Sequence, residues 1–177
     1  MGLWGDWQAS RARRHRVGLY LNDLLRDPDA SALEWLSALV GDRSVAGREL
    51  TFARRALGLI VAERDALDDR TAADVAHQLA PVIAAEAGRD AAVGREWADR
   101  WRAYTTALAV RGSPEAPAAR LARVMLAGAG VMQPTTDQHV RATQCVLEMR
   151  AALNEQLRAA LGAASLPDDV RPSALRG

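Results

Sequence analysis

A chain of 177 residues, 49% of them hydrophobic and 25% charged, is long enough to enclose one core, and its formal net charge of +1 gives no general attraction to nucleic acid or anionic membranes. All 23 basic residues are arginine, so the chain has no lysine for a Schiff base, for pyridoxal phosphate or for a phosphate-binding loop. The single cysteine, Cys145, excludes an internal disulfide and every CxxC site.

Composition also bears on the compartment. No apolar run reaches the roughly 18 residues that a bilayer-spanning helix needs, and the N-terminus lacks the apolar core of a signal peptide. We therefore expect a cytoplasmic protein that is not held in a membrane. The exclusive use of arginine indicates codon choice in a genome of biased base composition, as in many bacteria.

The residue preferences predict an all-α fold. Alanine, leucine, arginine and glutamate favour helix, and no stretch alternates apolar and polar residues as a strand would. We expect a single-domain bundle of about six or seven helices with a long C-terminal helix. The predicted limits are an N-terminal arm at 1–10, a helical domain at 11–163 and a disordered tail at 164–177.

The N-terminus combines two tryptophans with the densest basic cluster of the chain. Because basic charge near a helix N-terminus opposes the helix dipole, either the helix begins near Leu3 or residues 1–10 form the arm. The cluster has three candidate roles: a solvated turn, a phosphate-contacting patch with the tryptophans stacking on bases, and a segment that docks on a partner or membrane surface. The residues concerned are Trp4, Trp7, Arg11, Arg13, Arg14 and Arg16.

Cap signals predict the second and third helices. Asp29 is placed to cap a helix over 30–40, and Gly41 is placed to end it. Asp42 or Ser44 then caps a third helix, whose buried stripe includes Phe52. We expect its outer face to carry Arg48, Arg54, Arg55, Glu63 and Arg64.

A fourth helix is predicted to begin at Thr71, because Thr71 and Asp74 have the spacing of a capping box. Pro81 should kink or divide this helix. Asp74 and His77 share one face and could ligate a metal, but no second motif supplies further ligands, so we expect no metal and no cofactor.

The segment Asp90–Arg111 has the strongest helical pattern, with apolar residues at Val93, Trp97, Trp101, Tyr104 and Leu108. The opposite face is charged and includes a predicted Glu96–Arg100 pair. We interpret the aromatic stripe either as core or as a wall of a ligand pocket or partner groove formed by Trp97, Trp101 and Tyr104.

Two helices complete the predicted bundle. Ser113 should cap the sixth helix, with Pro114 at its first position. The last, Thr136–Leu161, would be about 40 Å long. Its narrow stripe predicts either a homodimer seam or an internal spine, and the residues are Val146, Met149, Leu153, Leu157 and Leu161.

Enzyme motifs such as GxSxG, HExxH and a glycine-rich phosphate loop are absent, and no family is assigned. The leading hypothesis is a non-catalytic interaction or regulatory protein that contacts another protein or itself. One alternative is a nucleic-acid-binding protein using Arg11–Arg16, and another is a small-molecule-binding bundle with a Trp97/Trp101/Tyr104 pocket.

Overall fold

The computed structural model describes residues 3–65, 69–110 and 112–161, and these residues form seven helices and no strand. The predicted all-α bundle with a long last helix is confirmed. The predicted tail at 164–177 lies outside the described residues. The helices are α1 (Leu3–Leu24), α2 (Ala30–Val40), α3 (Arg43–Asp65), α4 (Asp69–Arg89), α5 (Ala91–Ala109), α6 (Pro117–Gly128) and α7 (Thr136–Leu161).

Short-range caps set several helix ends as the sequence predicts. Asp29 Oδ1 accepts from the N–H groups of Ser31 and Ala32 at 3.0 Å each, and Gly41 ends α2 in the left-handed region with φ 77°. Asp42 Oδ1 accepts from Ser44 N at 2.7 Å and so caps α3. These carboxylates satisfy N–H groups that a helix cannot pair internally.

Two predicted helix starts differ from the structure, and the division that was one of two alternatives at Pro81 is not observed. Helix α4 begins at Asp69 rather than Thr71, and Thr71 is buried within it instead of capping it. The same helix runs through Pro81 without being divided. Helix α6 begins at Pro117 rather than Pro114; Ser113 Oγ accepts from Glu115 N at 3.1 Å and so closes a turn before the helix.

At the N-terminus, the alternative in which the helix begins near Leu3 is the one observed, since α1 is continuous from Leu3 to Leu24. Residues 3–10, predicted as an arm, are therefore helical. Val17, Tyr20 and Leu24 form the buried side of α1. Tyr20 Oη donates to Gly58 O at 3.0 Å and so joins α1 to α3.

Helix α3 is the centre of the bundle, because it contacts each of the other six helices. Its buried side alternates small and large residues, which allows neighbours to approach closely on several sides. The positions buried here include Ala46, Leu50, Ala53, Ala56, Leu57 and Val61.

The stripe on α7 packs against the core of its own bundle, as the internal-spine alternative predicts, and the homodimer seam stays a prediction. Val146 and Leu153 are fully buried and Leu157 is 2% exposed, while Met149 and Leu161 pack against the same core. Helix α7 contacts α1, α3 and α6 of its own chain. Val146, Leu153 and Leu157 are thus enclosed within one chain, whereas Met149 and Leu161 are half-buried.

Candidate functional site

An apolar groove opens between α4 and α5 on one side of the bundle. The two helices touch where α4 ends and α5 begins, since a Cβ at Gly94 would lie only 2.7 Å from the Cβ of Ala87. Farther along they leave a space made of two adjoining cavities of about 390 and 330 Å³, which share Leu59, Ala76 and Trp101. We call this space the α4–α5 groove; it is lined by Leu59, Glu63, Ala72, Ala73, Ala76, Leu79, Ala80, Ile83, Ala84, Trp97 and Trp101.

The groove exists because the two helices present side chains of very different size. Most of the α4 residues that line it are alanines, and Ala76, Ala80 and Ala84 are exposed. Leu59 of α3 lies between α4 and α5 and closes the floor. A row of methyl groups opposite indole rings leaves a depression that no side chain of the described residues fills.

Trp97 and Trp101 form the α5 wall. Their ring centroids are 6.2 Å apart with an interplanar angle of 22°, and Trp97 also lies 6.1 Å from Phe52 at 45°. Offset and tilted pairs at these distances are favourable for aromatic rings. Because Phe52 is buried, it holds Trp97 in place, and Trp97 in turn supports Trp101. The wall is therefore ordered before anything binds to it.

Tyr104, the third residue of the predicted pocket, does not line the groove. It is fully buried, and its Oη donates to Glu49 Oε1 at 3.0 Å. Arg100 completes this cluster: its Nε donates to Glu49 Oε2 at 2.6 Å and its Nη2 donates to Gly128 O at 2.7 Å. A Cβ at Gly128 would collide with the Glu49 carboxylate, so the cluster needs glycine there.

Glu49 is a buried carboxylate with a perturbed pKa, and the sequence analysis did not identify it. Burial raises its pKa to about 7, although the Arg100 guanidinium and the Tyr104 hydroxyl both act to lower it. The raised direction follows from 2% exposure, since removing a carboxylate from water disfavours its charged form. A sequence signal existed: Glu49 lies three residues before Phe52 and seven before Ala56, on the buried stripe of α3.

Two arginines predicted on solvated faces instead pair with carboxylates of neighbouring helices and are partly or fully buried. Arg100 was expected to pair with Glu96 on the outside of its helix, but it pairs with Glu49, and Glu96 contacts Arg48 at 3.3 Å. Arg55 is 6% exposed and donates to both carboxylate oxygens of Glu86, at 2.6 and 2.9 Å. Helices α3, α4 and α5 are thus joined by charged pairs behind and beside the groove, which fixes their spacing.

The basic cluster of α1 divides between two sides of the helix. Arg11, Arg14 and His15 are exposed and, by helical spacing, lie on the same side as Trp7, whereas Arg13 is half-buried and Arg16 lies on another side. Trp7 is 56% exposed, and the Arg11 guanidinium lies 5.4 Å from the centroid of its ring. The side chain of Trp4 lies outside the described residues.

Other chemical groups are not arranged as a reactive site. Cys145 is buried, and burial raises the pKa of its thiol to about 11. Within the described ranges, no three His, Cys, Asp or Glu side chains are placed to hold a metal ion, so Asp74 and His77 have no third ligand there. None of the described helices combines the length and the hydropathy needed to cross a bilayer.

Comparison with protein-family models, with curated proteins and with solved structures finds no match to this chain.

Proposed function

We propose that this protein is a non-catalytic, cytoplasmic interaction protein that binds an amphipathic helix of another protein in the α4–α5 groove. The observation that carries the proposal is the exposed, preformed apolar channel between the alanines of α4 and the stacked Trp97 and Trp101. Contiguous apolar surface of this kind is typical of interaction sites.

The shape of the groove favours a helix over a small molecule. Its α4 side extends from residue 72 to residue 84, which is about 18 Å along a helix axis. Such a length accommodates three turns of a partner helix with apolar anchors at i, i+4, i+7 and i+11. A small-molecule pocket usually surrounds most of its ligand, whereas here Ala76, Ala80 and Ala84 are exposed along one edge.

The charges on the α5 side of the groove favour an acidic flank on the partner, whereas Glu63 of α3 is an acidic residue of its lining. Arg95 and Arg102 are exposed on α5, seven residues apart and therefore on one face, which adjoins the tryptophan wall through Ala98. Asp99 lies 3.3 Å from Arg102, but an exposed pair of this kind contributes little and is easily exchanged. A partner helix with leucines toward the groove and glutamates toward α5 matches both features.

The test measures binding of a fluorescent helical peptide with leucines at the four anchor positions and glutamate flanks. Ala80→Glu places a carboxylate in the groove, and we expect it to weaken binding by more than about tenfold, because a buried unpaired charge is costly. Ala85→Glu is the matched control, since Ala85 is also an exposed alanine of α4 but does not line the groove. It should bind as the unmodified protein does.

The same experiment distinguishes other occupants. A peptide with lysine flanks should bind more weakly than the glutamate peptide, and equal binding would contradict the charge argument. If Ala80→Glu and Ala85→Glu bind the peptide equally, the groove is not the site. If the unmodified protein forms a dimer that Ala80→Glu alone dissociates, the occupant is a second copy of this chain rather than another protein.

A second candidate function rests on the exposed side of α1, where Trp7, Arg11, Arg14 and His15 lie together. Single-stranded nucleic acid is bound by aromatic rings that stack on bases beside cations that contact phosphates. With Arg11 and Arg14 contacting phosphates, the logarithm of the binding constant for single-stranded DNA plotted against the logarithm of salt concentration would have a slope of about −1.4. Replacing these two arginines by glutamine should remove this salt dependence, and no binding at low salt would exclude this function.

A further inference from the structure

A second cavity, separate from the α4–α5 groove, lies between the α1–α2 loop, α3 and α7. Its volume is about 300 Å³, which is at the small end of the range for small-molecule pockets. The apolar part of its wall comes from Ala32, Leu50, Met149 and Ala152. Arg54 is the cation in this wall, and we call the space the Arg54 cavity.

Arg54 has hydrogen-bonding capacity that the protein does not use. Its Nε donates to Asp23 O at 2.9 Å, but among the described residues no carboxylate lies within 4.0 Å of its guanidinium. Its neighbours on α3 differ, because Arg48 pairs with Glu96 and Arg55 with Glu86. Burial lowers the pKa of Arg54, against the opposing effect of nearby Asp23 and Asp29. A partly desolvated cation with free donors is stabilised by an anion.

The two carboxylates that line the cavity are already engaged elsewhere. Asp29 Oδ1 accepts three hydrogen bonds from the first turn of α2, which lowers the pKa of Asp29. Glu148 accepts from Gln144 Nε2 at 2.9 Å and lies 3.8 Å from Arg141. These carboxylate oxygens accept from other groups, and among the described residues the Arg54 guanidinium donates only through its Nε, so its Nη donors stay open toward the cavity.

We propose that the Arg54 cavity is a binding site for a small amphipathic anion, whose carboxylate meets the Arg54 guanidinium and whose short apolar chain packs on Leu50 and Met149. This site is separate from the α4–α5 groove and shares none of its lining residues. The apolar wall supplies affinity through burial, and the guanidinium supplies selectivity for an anionic head group through paired donors.

The test uses octanoate as the probe and 1-octanol as its neutral counterpart, with binding measured by titration calorimetry on the full chain. The unmodified protein should bind octanoate in the sub-millimolar range and 1-octanol more weakly. Arg54→Met keeps the apolar stem and removes the donors, so it should weaken octanoate binding by about tenfold or more and leave 1-octanol unchanged. Arg158→Met, the same substitution at an exposed position of α7, should change neither.

A second variant keeps the proposal testable if Arg54→Met fails to fold. Ala152 lines the cavity and is exposed, so Ala152→Phe fills the space without burying a charge and should abolish binding of both probes. The proposal is overturned if octanoate does not bind at about 5 mM. It is also overturned if octanoate binds Ala152→Phe as it binds the unmodified protein, because the ligand would then lie elsewhere. These results are independent of peptide binding in the α4–α5 groove.

Discussion

The buried Glu49 carboxylate should make the stability of this protein fall as the pH rises from 5 to 8. A pKa raised from 4.5 to about 7 means that the folded state binds a proton more tightly than the unfolded chain does. The stabilising effect is complete below pH 4.5 and is lost as the pH rises through 7. This pKa difference changes the free energy of unfolding by about 3 kcal/mol over the whole pH range, and about 2.5 kcal/mol of that change falls between pH 5 and pH 8.

The assay is urea unfolding followed by circular dichroism at pH 5, 6, 7 and 8 on the unmodified chain and on Glu49→Gln. The glutamine oxygen can still accept from Arg100, and its amide N–H can donate to the Tyr104 hydroxyl, which is able to act as an acceptor. The fold should therefore be kept while the titration is removed. We expect the free energy of unfolding of Glu49→Gln to be nearly flat over this range. The slope of unfolding against urea must stay constant for the comparison to be valid.

Glu86→Gln is the matched control, since Glu86 also pairs with an interior arginine. The hydrogen bond from Arg55 lowers the pKa of Glu86, so its contribution is present above its unfolded-state pKa and is lost only as the pH falls through its lowered folded-state value. This control should therefore retain the dependence between pH 5 and pH 8. A flat profile for the unmodified chain, or an unchanged dependence in Glu49→Gln, would refute the account of the buried carboxylate.

Three further predictions follow from the packing. Leu153→Arg places a cation in the core, so circular dichroism should show an unfolded protein. Leu147→Arg, at an exposed position of α7, is the control and should fold. A folded monomer from Leu153→Arg would support the homodimer seam. Trp97→Ala removes the ring that supports Trp101 against Phe52, and it should lower the free energy of unfolding in urea by about 2–4 kcal/mol. A decrease of less than about 1 kcal/mol would contradict the proposed ordering of the tryptophan wall. Gly128→Ala should lower the free energy of unfolding by about 2 kcal/mol, because its added Cβ collides with Glu49. Gly88→Ala is the control, since no atom lies within 4 Å of its added Cβ, and it should be neutral or stabilising. Equal effects of the two substitutions would contradict the close approach of Glu49 to Gly128.

The features that the sequence predicted correctly depend on neighbours within three or four residues. Asp29, Gly41 and Asp42 act on the helix ends beside them, and their residue types are sufficient to place those ends. Thr71 shows the limit of this rule, because a capping-box spacing does not reveal that the threonine will be buried. Local chemistry predicts where helices are, and burial depends on how they are rotated against one another.

The charged pairs could not be predicted because their partners are distant in sequence. Arg55 and Glu86 are 31 residues apart, and Glu49 and Arg100 are 51 apart. Helical periodicity placed both arginines on an outer face, but a helix surrounded by several others has a wider buried surface than a single stripe indicates. Charged residues at the edges of such a surface are then enclosed and must find partners.

A related reason left two alternatives open for the α7 stripe and kept the groove out of the sequence analysis. Leu153 and Leu157 have the spacing expected of a seam between subunits, and the same spacing serves a spine within one chain. The α4 side of the groove is made by small residues such as Ala76 and Ala80, which give little apolar signal individually. The groove results from the difference in side-chain size between two facing helices. The sequence of one helix alone does not show which side chains will face it.

The packing of α1 against α7 has a consequence for how the chain folds during synthesis. These helices lie at opposite ends of the sequence yet share the core, so the contact closes a loop of more than a hundred residues and is among the last that the nascent polypeptide can make. Until Thr136 and the residues after it have left the ribosome, α1, α3 and α6 lack the part of their apolar cover that α7 supplies, although they can already pack on the earlier helices. The ribosome-bound chain therefore keeps part of its core surface exposed to aggregation and to chaperones until α7 has been made.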